Sequence, residues 1–291
     1  PRLELGLGTR RLLDRKMELL ARISAWRYVE NGIKDNESYW VRLKVAAFGR
    51  DNFQLSFYHS PESYLRNFRD RPPFQPRSTV PYDYTAFTYS SSSVTLGYWK
   101  RVVDRLDVKI EGKRAWRYYN QAFMENDNWE WRIGGYVAYR VLPALRVTAE
   151  YYYSDVTARA ADTVGETPET SDDGDASYRR DAYELTLGFY LPRALRPLWR
   201  IDVGGSYQAY FFTSTKSPAD DPYHVGREDE LYRFEVDAST RPFAGGFALE
   251  GGYRFTRRDS SAPYEGSGGE SIDEDKDYTD DRIWIGLEYA F

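Results

Sequence analysis

Charged side chains recur at every second position along several short segments of this 291-residue chain, with large apolar residues between them. Asp107-Val108-Lys109-Ile110-Glu111 places acid, base and acid at i, i+2 and i+4. Arg42 and Lys44 flank Leu43, and Arg200 and Asp202 flank Ile201. In extended backbone, successive side chains face opposite sides, so each such segment has one charged face and one apolar face. The same parity puts Arg132, Glu150, Arg233, Glu235, Glu250 and Arg254 with Lys109 and Glu111 in the charged set. Opposite charges on neighbouring strands can pair across a ladder. A wall carrying both signs either braces and solvates a polar interior or lines a water-filled passage with weak ion selectivity. Tyr136, Tyr152, Tyr190, Tyr210, Phe212 and Trp284 share that parity, and their bulk would narrow a passage or stack on sugar rings.

Other residues with chemical potential form no site. Tyr58-His59-Ser60 offers a base beside a nucleophile, but neighbours on a strand point to opposite faces, and parity puts His59 on the apolar one. His224 lies in a long connection and matches no catalytic motif, and two histidines this far apart suggest no metal cluster. Asp273, Asp275 and Asp277 copy the first three ligand positions of a calcium loop. Tyr278 then stands where that loop requires glycine, and Trp284 where it requires a bidentate glutamate. There is no cysteine, which removes disulfides, thiolate metal sites and cysteine nucleophiles. No phosphate-cradling glycine loop or triad order is present. A non-enzymatic protein without a cofactor is the expectation.

Thirteen two-faced segments position the charges: 3–10, 17–28, 39–48, 53–60, 84–99, 106–118, 129–141, 145–154, 183–191, 199–212, 231–239, 247–258 and 283–291. Many approach the roughly 9–11 residues that a tilted strand needs to cross a bilayer. Their connections alternate. Short ones at 12–15, 49–52, 103–105, 142–144, 192–198 and 241–245 interleave with long ones at 31–38, 69–82, 120–128, 160–180, 217–228 and 260–281. Glycine pairs at 134–135, 204–205 and 251–252 fall inside strands, where they permit curvature or relieve crowding beside aromatics. No linker or change of composition divides residues 1–291, so a single domain is expected.

Composition agrees with that arrangement. Aromatic residues make up 17% of the chain although its mean hydropathy is −0.70. Aromatic girdles, a modest apolar band and a polar lumen combine these properties in a transmembrane barrel. A net charge of −5 with no separate basic stripe argues against nucleic acid as a partner.

The final segment carries a resemblance. Ile283, Ile285, Leu287, Tyr289 and Phe291 form one apolar face, with Gly286 among the intervening positions. A terminal aromatic at Phe291, an aromatic at Tyr289 and the glycine at Gly286 resemble the C-terminal assembly signal of Gram-negative outer-membrane β-barrels. The resemblance implies an all-β, antiparallel up-and-down transmembrane barrel, with short periplasmic turns and long extracellular loops. It also implies a periplasmic C-terminus in the bacterial outer membrane. Partners would be outer-membrane lipid, lipopolysaccharide and the barrel-assembly machinery, with a periplasmic or surface protein as a further candidate. Counting back from an inward-running last strand makes segment 3–10 run inward too. About fourteen strands are therefore expected, one of them supplied before Pro1, with twelve as the alternative. A charge-lined channel for polar solutes is the leading functional expectation. The other is a loop-plugged barrel that anchors or exports a partner, similar to C-terminal barrels fused behind periplasmic helical repeats in polysaccharide and surface-lipoprotein export proteins.

Overall fold

The computed structural model describes residues 2–9, 17–26, 35–46, 51–69, 84–161, 165–171, 173–192, 198–241, 247–265, 271–272 and 276–289. Among them, thirteen strands form one up-and-down sheet in which each strand lies beside its neighbours in sequence. They are β1 (Arg2–Thr9), β2 (Met17–Trp26), β3 (Asn36–Ala46), β4 (Asn52–Arg69), β5 (Tyr84–Val103), β6 (Leu106–Tyr119) and β7 (Asn128–Leu142). β8 (Leu145–Ala158), β9 (Tyr178–Tyr190), β10 (Leu198–Phe212), β11 (Glu228–Thr240), β12 (Phe247–Ser261) and β13 (Tyr278–Tyr289) complete the order. A short 3-10 turn covers Gln121–Asn126.

Among the described residues each expected segment falls on one strand, with 10, 27–28, 47–48 and 290–291 outside them, but several strands run further at their long-connection end. β4 continues to Arg69, β8 to Ala158 and β12 to Ser261, while β9 begins at Tyr178, β11 at Glu228 and β13 at Tyr278. These extensions place Asp181, Glu230, Asp259 and Asp281 at positions that are apolar further along the same strands. The apolar alternation therefore stops before the ladder does, because backbone pairing needs no apolar side chain. Asp104–Arg105 and Pro143–Ala144 are two-residue turns. The short connections at 10–16, 47–50, 193–197 and 242–246 lie outside the described residues, as do Ala290 and Phe291.

The chain divides into two compact units, 1–96 with 113–131 and 156–177, and 97–112 with 132–155 and 178–291. In the first, the β2–β3 register sets Glu18 opposite Lys44 and Leu20 opposite Arg42, with Leu19 opposite Leu43 and Ala21 opposite Val41. The β3–β4 register continues both faces through Ser56 and Gln54 on one side and Phe57, Leu55 and Phe53 on the other. In the second unit, Glu184, Ser206, Arg233 and Thr256 lie in one row across β9 to β12, and the next row on that face holds Gly204, Glu235 and Arg254. Leu185, Gly205, Phe234 and Phe255 form the intervening row of the opposite face.

Burial is inverted relative to an ordinary core. Among the described residues no leucine, phenylalanine, tyrosine or tryptophan is buried, and the buried apolar side chains are mainly alanines. Trp131 is 62% exposed, Ile133 60% and Ile110 58%, whereas Glu130 is 3% and Glu111 8% exposed. Two glycines permit close strand approach: a Cβ on Gly134 would overlap the Tyr151 carbonyl of β8, and one on Gly135 would overlap the Lys109 backbone of β6.

Candidate functional site

The charged face is built from ion pairs within single strands and between strands. In the first unit, Arg42 Nη2 donates to Glu18 Oε1 at 2.7 Å, and Lys44 lies opposite the same glutamate. Glu130 of β7 is held between Arg117, at 3.4 Å, and Lys113, at 3.8 Å, both from β6. A guanidinium and an ammonium group from the neighbouring strand thus meet a carboxylate that is only 3% exposed, as a buried charge requires.

The second unit repeats the device. Asp107 takes Arg101 at 2.8 Å and Arg146 at 3.7 Å, and Glu111 takes Arg132 at 3.1 Å together with Lys109. Arg132 also lies over the Tyr152 ring, 4.7 Å from its centroid. Arg200 pairs with Asp202 at 2.7 Å and Arg254 with Glu235 at 2.6 Å. Glu150 is half-buried on the same parity of β8. Arg233 lines a cavity of about 260 Å³ with Glu235 and Asp237. Glu250 stands opposite Gly286, the glycine of the terminal segment. The twelve expected charged residues lie on β3, β6, β7, β8, β10, β11 and β12. Of the terminal trio, Gly286 and Tyr289 lie on β13, with Tyr289 opposite Phe247, and Phe291 lies outside the described residues.

The opposite face is exposed and apolar, and it ends in a line of tyrosines. Tyr151, Tyr183, Tyr207 and Tyr232 occupy neighbouring strands β8 to β11, with successive ring centroids 5.0, 6.3 and 5.1 Å apart. Their hydroxyls reach the carboxylates that follow toward the long connections. Tyr151 donates to Asp181 at 2.6 Å, and Tyr207 and Tyr232 both donate to Glu230, at 2.8 and 2.7 Å. Tyr253 of β12 donates to Asp281 in the same way. An aromatic ring with one polar tip suits a boundary between apolar and aqueous surroundings.

His59 sits on this apolar face as parity requires, stacked on Tyr39 and Phe57, with Nδ1 2.9 Å from Ser92 Oγ. Ser60 is buried on the other face and donates to the Glu37 carbonyl, so the two side chains do not meet. His224 is tied into its own connection: Nδ1 lies 2.8 Å from the buried carboxylate of Asp221, which also accepts from Ser214 Oγ at 2.7 Å. Among the described residues no group of three or more histidine, aspartate or glutamate side chains could hold a metal ion.

Sequence reasoning missed one charged cluster. Asp229, 1% exposed, accepts two hydrogen bonds from Arg227, at 2.8 and 2.7 Å, and a third from Arg258. Arg227 in turn lies over Phe212. The cluster's signal is Arg227-Glu228-Asp229, with charges at i and i+2, which lies before the apolar alternation that starts at Leu231, although β11 itself starts at Glu228. Outside the strands, Asp127 accepts the Tyr119 N–H at 2.6 Å, and burial pushes its carboxyl above the usual aspartate range despite Arg159 at 3.7 Å.

No protein-family model and no curated protein matches this chain.

Proposed function

We propose that the sheet closes into a transmembrane barrel of about fourteen strands in a bacterial outer membrane, with a periplasmic C-terminus. Its charged face lines a conduit for polar solutes. The observation that carries this reading is the inversion of burial, with tryptophan, isoleucine and leucine exposed and the carboxylates of Glu111 and Glu130 buried beside half-buried guanidinium groups. A soluble sheet protein buries those large apolar residues, whereas lipid accepts them and leaves the polar face to water. The tyrosine line on β8 to β11 supports the same placement, because rings at a membrane boundary bury their bodies in lipid and keep their hydroxyls wet. Antiparallel closure takes an even number of strands, which favours fourteen. The partners that follow from this placement are outer-membrane lipid, lipopolysaccharide and the assembly machinery.

A second reading, a barrel filled by its own side chains or loops that anchors or exports a partner, draws on bulky residues of the charged face. Tyr152, Tyr210 and Trp284 occupy space there beside Arg132, Arg180 and Arg254. Single-channel recording in planar bilayers separates the two. Stable conductance that changes its ion preference when Arg42, Lys44 and Arg132 are replaced by glutamate supports the conduit. Silence at all voltages favours the filled barrel.

A further inference from the structure

The cavity of about 260 Å³ on the charged face of the second unit is a bowl centred on one glycine. Gly204 of β10 has Thr186 of β9 directly opposite on one side and Glu235 of β11 on the other. One step along the same face, Ser206 lies between Glu184 and Arg233; one step the other way, Asp202 lies between Gly188 and Asp237. With strands about 4.8 Å apart and alternate residues about 6.8 Å apart along each, every one of these Cα atoms falls within about 9 Å of that of Gly204.

Strand packing does not require the central glycine. A Cβ on Gly204 would come to 3.5 Å from Thr186 Oγ1 and 3.7 Å from the Leu185 carbonyl, ordinary contacts, whereas at Gly134, Gly135 and Gly252 it would overlap backbone. Nor does Gly204 have a positive φ. What its missing side chain leaves is open floor.

The rim around that floor keeps donors and acceptors to spare. Among the described residues Arg233 makes no hydrogen bond and no ion pair within 4.0 Å, and its Nε is buried without a partner. Glu184 hydrogen-bonds only to the Thr186 hydroxyl, at 3.3 Å. No lysine or arginine nitrogen among the described residues lies within 4.0 Å of Glu184 or Asp237. Asp202 and Glu235 are paired with Arg200 and Arg254, but a carboxylate offers about four acceptor sites, and one guanidinium does not fill them.

We propose that this bowl binds a neutral polyol the size of one six-membered sugar ring. The inference names a solute class for the conduit reading and rests on that reading for access to the bowl. Charge selects the class. An anion would face the carboxylates of Glu184 and Asp237, and a cation would face the unpaired Arg233. A zwitterionic amino acid carries both charges on one carbon, so it would meet Arg233 and a single carboxylate and leave the rest of the rim without partners. A sugar carries hydroxyls around its whole ring, each able to donate to a carboxylate and accept from a guanidinium or a hydroxyl. Volume agrees: about 150 Å³ holds a benzene ring, and about 260 Å³ leaves room for the hydroxyls.

The test is calorimetric titration of the purified full chain, in an amine-oxide detergent that contains no sugar. Glucose, galactose and mannose are the probes, with glycine, acetate and ethylammonium as charged comparisons. At least one hexose binds saturably, and the three charged solutes do not. Arg233→Gln and Glu184→Gln each weaken that hexose by about tenfold or more, as expected for losing a charge-assisted contact. Gly204→Leu, whose Cβ fits and whose remaining side chain fills the floor, abolishes binding. Failure of all three hexoses to bind, binding of a charged solute as tightly as any hexose, or hexose binding indifferent to all three substitutions would overturn the proposal. The wild-type comparison of the six solutes decides it even where a variant fails to fold. Because titration needs no open channel, silence in bilayers with retained hexose binding sinks the conduit alone, and conductance without hexose binding sinks the bowl alone.

Discussion

Trp284 stands directly opposite Gly252 across the β12–β13 ladder, and its indole fills the space that a side chain at 252 would take. On the other side of that space lie Asp237 Oδ1 and the Val236 carbonyl, each 2.7 Å from where a Cβ would be. Arg254 covers the indole at 5.5 Å. The charged face therefore accommodates a large ring only because one strand gives up its side chain there.

Gly252→Ala should accordingly destabilise the protein by about 1–3 kcal/mol, the usual range for overpacking. Adding Trp284→Ala should recover part of that loss, because the ring is one of three colliding groups, with Asp237 Oδ1 and the Val236 carbonyl. Urea unfolding of the four proteins in detergent gives the coupling. Strict additivity would contradict the arrangement.

The Arg227–Asp229–Arg258 cluster makes a larger demand. Asp229→Asn leaves two guanidinium groups facing a neutral amide, and the expected loss is about 3 kcal/mol or more, typical of breaking a buried ionic group. The midpoint of urea unfolding measures it; a change below about 0.5 kcal/mol, the level of an ordinary surface substitution, would show the cluster to be inconsequential.

Asp127 gives the pH dependence a definite sign. Burial raises its carboxyl above the ordinary value of 3.8, so the folded state prefers the neutral form. The stabilising contribution of protonation is present at acid pH and is lost as pH rises through the folded-state value. Relative to Asp127→Asn, which stays neutral throughout, the wild type should lose thermal stability as pH climbs from below 3.8 to neutrality. A constant difference, or one that grows in the wild type's favour, would contradict the assignment.

The fold was legible where a strand alternates between one charged and one apolar face. Ile110 between Lys109 and Glu111, or Ile201 between Arg200 and Asp202, fixes both strand and facing from two neighbours. Legibility ended where chemistry stops alternating. Arg180 and Asp281 lie on strand extensions whose exposed positions turn acidic, so they read as loop although the ladder continues through them, and Asp229 falls before the alternation begins. Parity also placed His59 and Ser60 apart correctly. What parity cannot supply is the partner along the other axis: that Glu111 is shared by Lys109 and Arg132, or that Trp284 meets Gly252, depends on register between strands, and no single segment contains it.

If the exposed face meets lipid, a charge on it carries a large penalty. Ile110→Lys and Ile133→Lys should each lower the folding free energy in phospholipid vesicles by about 2–4 kcal/mol if they lie near the bilayer midplane. On a water-exposed surface the same changes would stay within about 0.5 kcal/mol. Folding titrations into vesicles distinguish these values.

The most direct measurement of the central claim, that the apolar face contacts lipid while the charged face contacts water, uses the absence of cysteine from the chain. Ile133→Cys, Val137→Cys and Tyr139→Cys place single thiols on one face of β7, and Arg132→Cys and Tyr136→Cys place them on the other. With each thiol carrying a fluorophore in vesicles, brominated lipid should quench the first set strongly and the second weakly, and a water-soluble quencher should do the reverse. Quenching by brominated lipid that fails to alternate along β7, or that alternates with the opposite parity, would contradict the account.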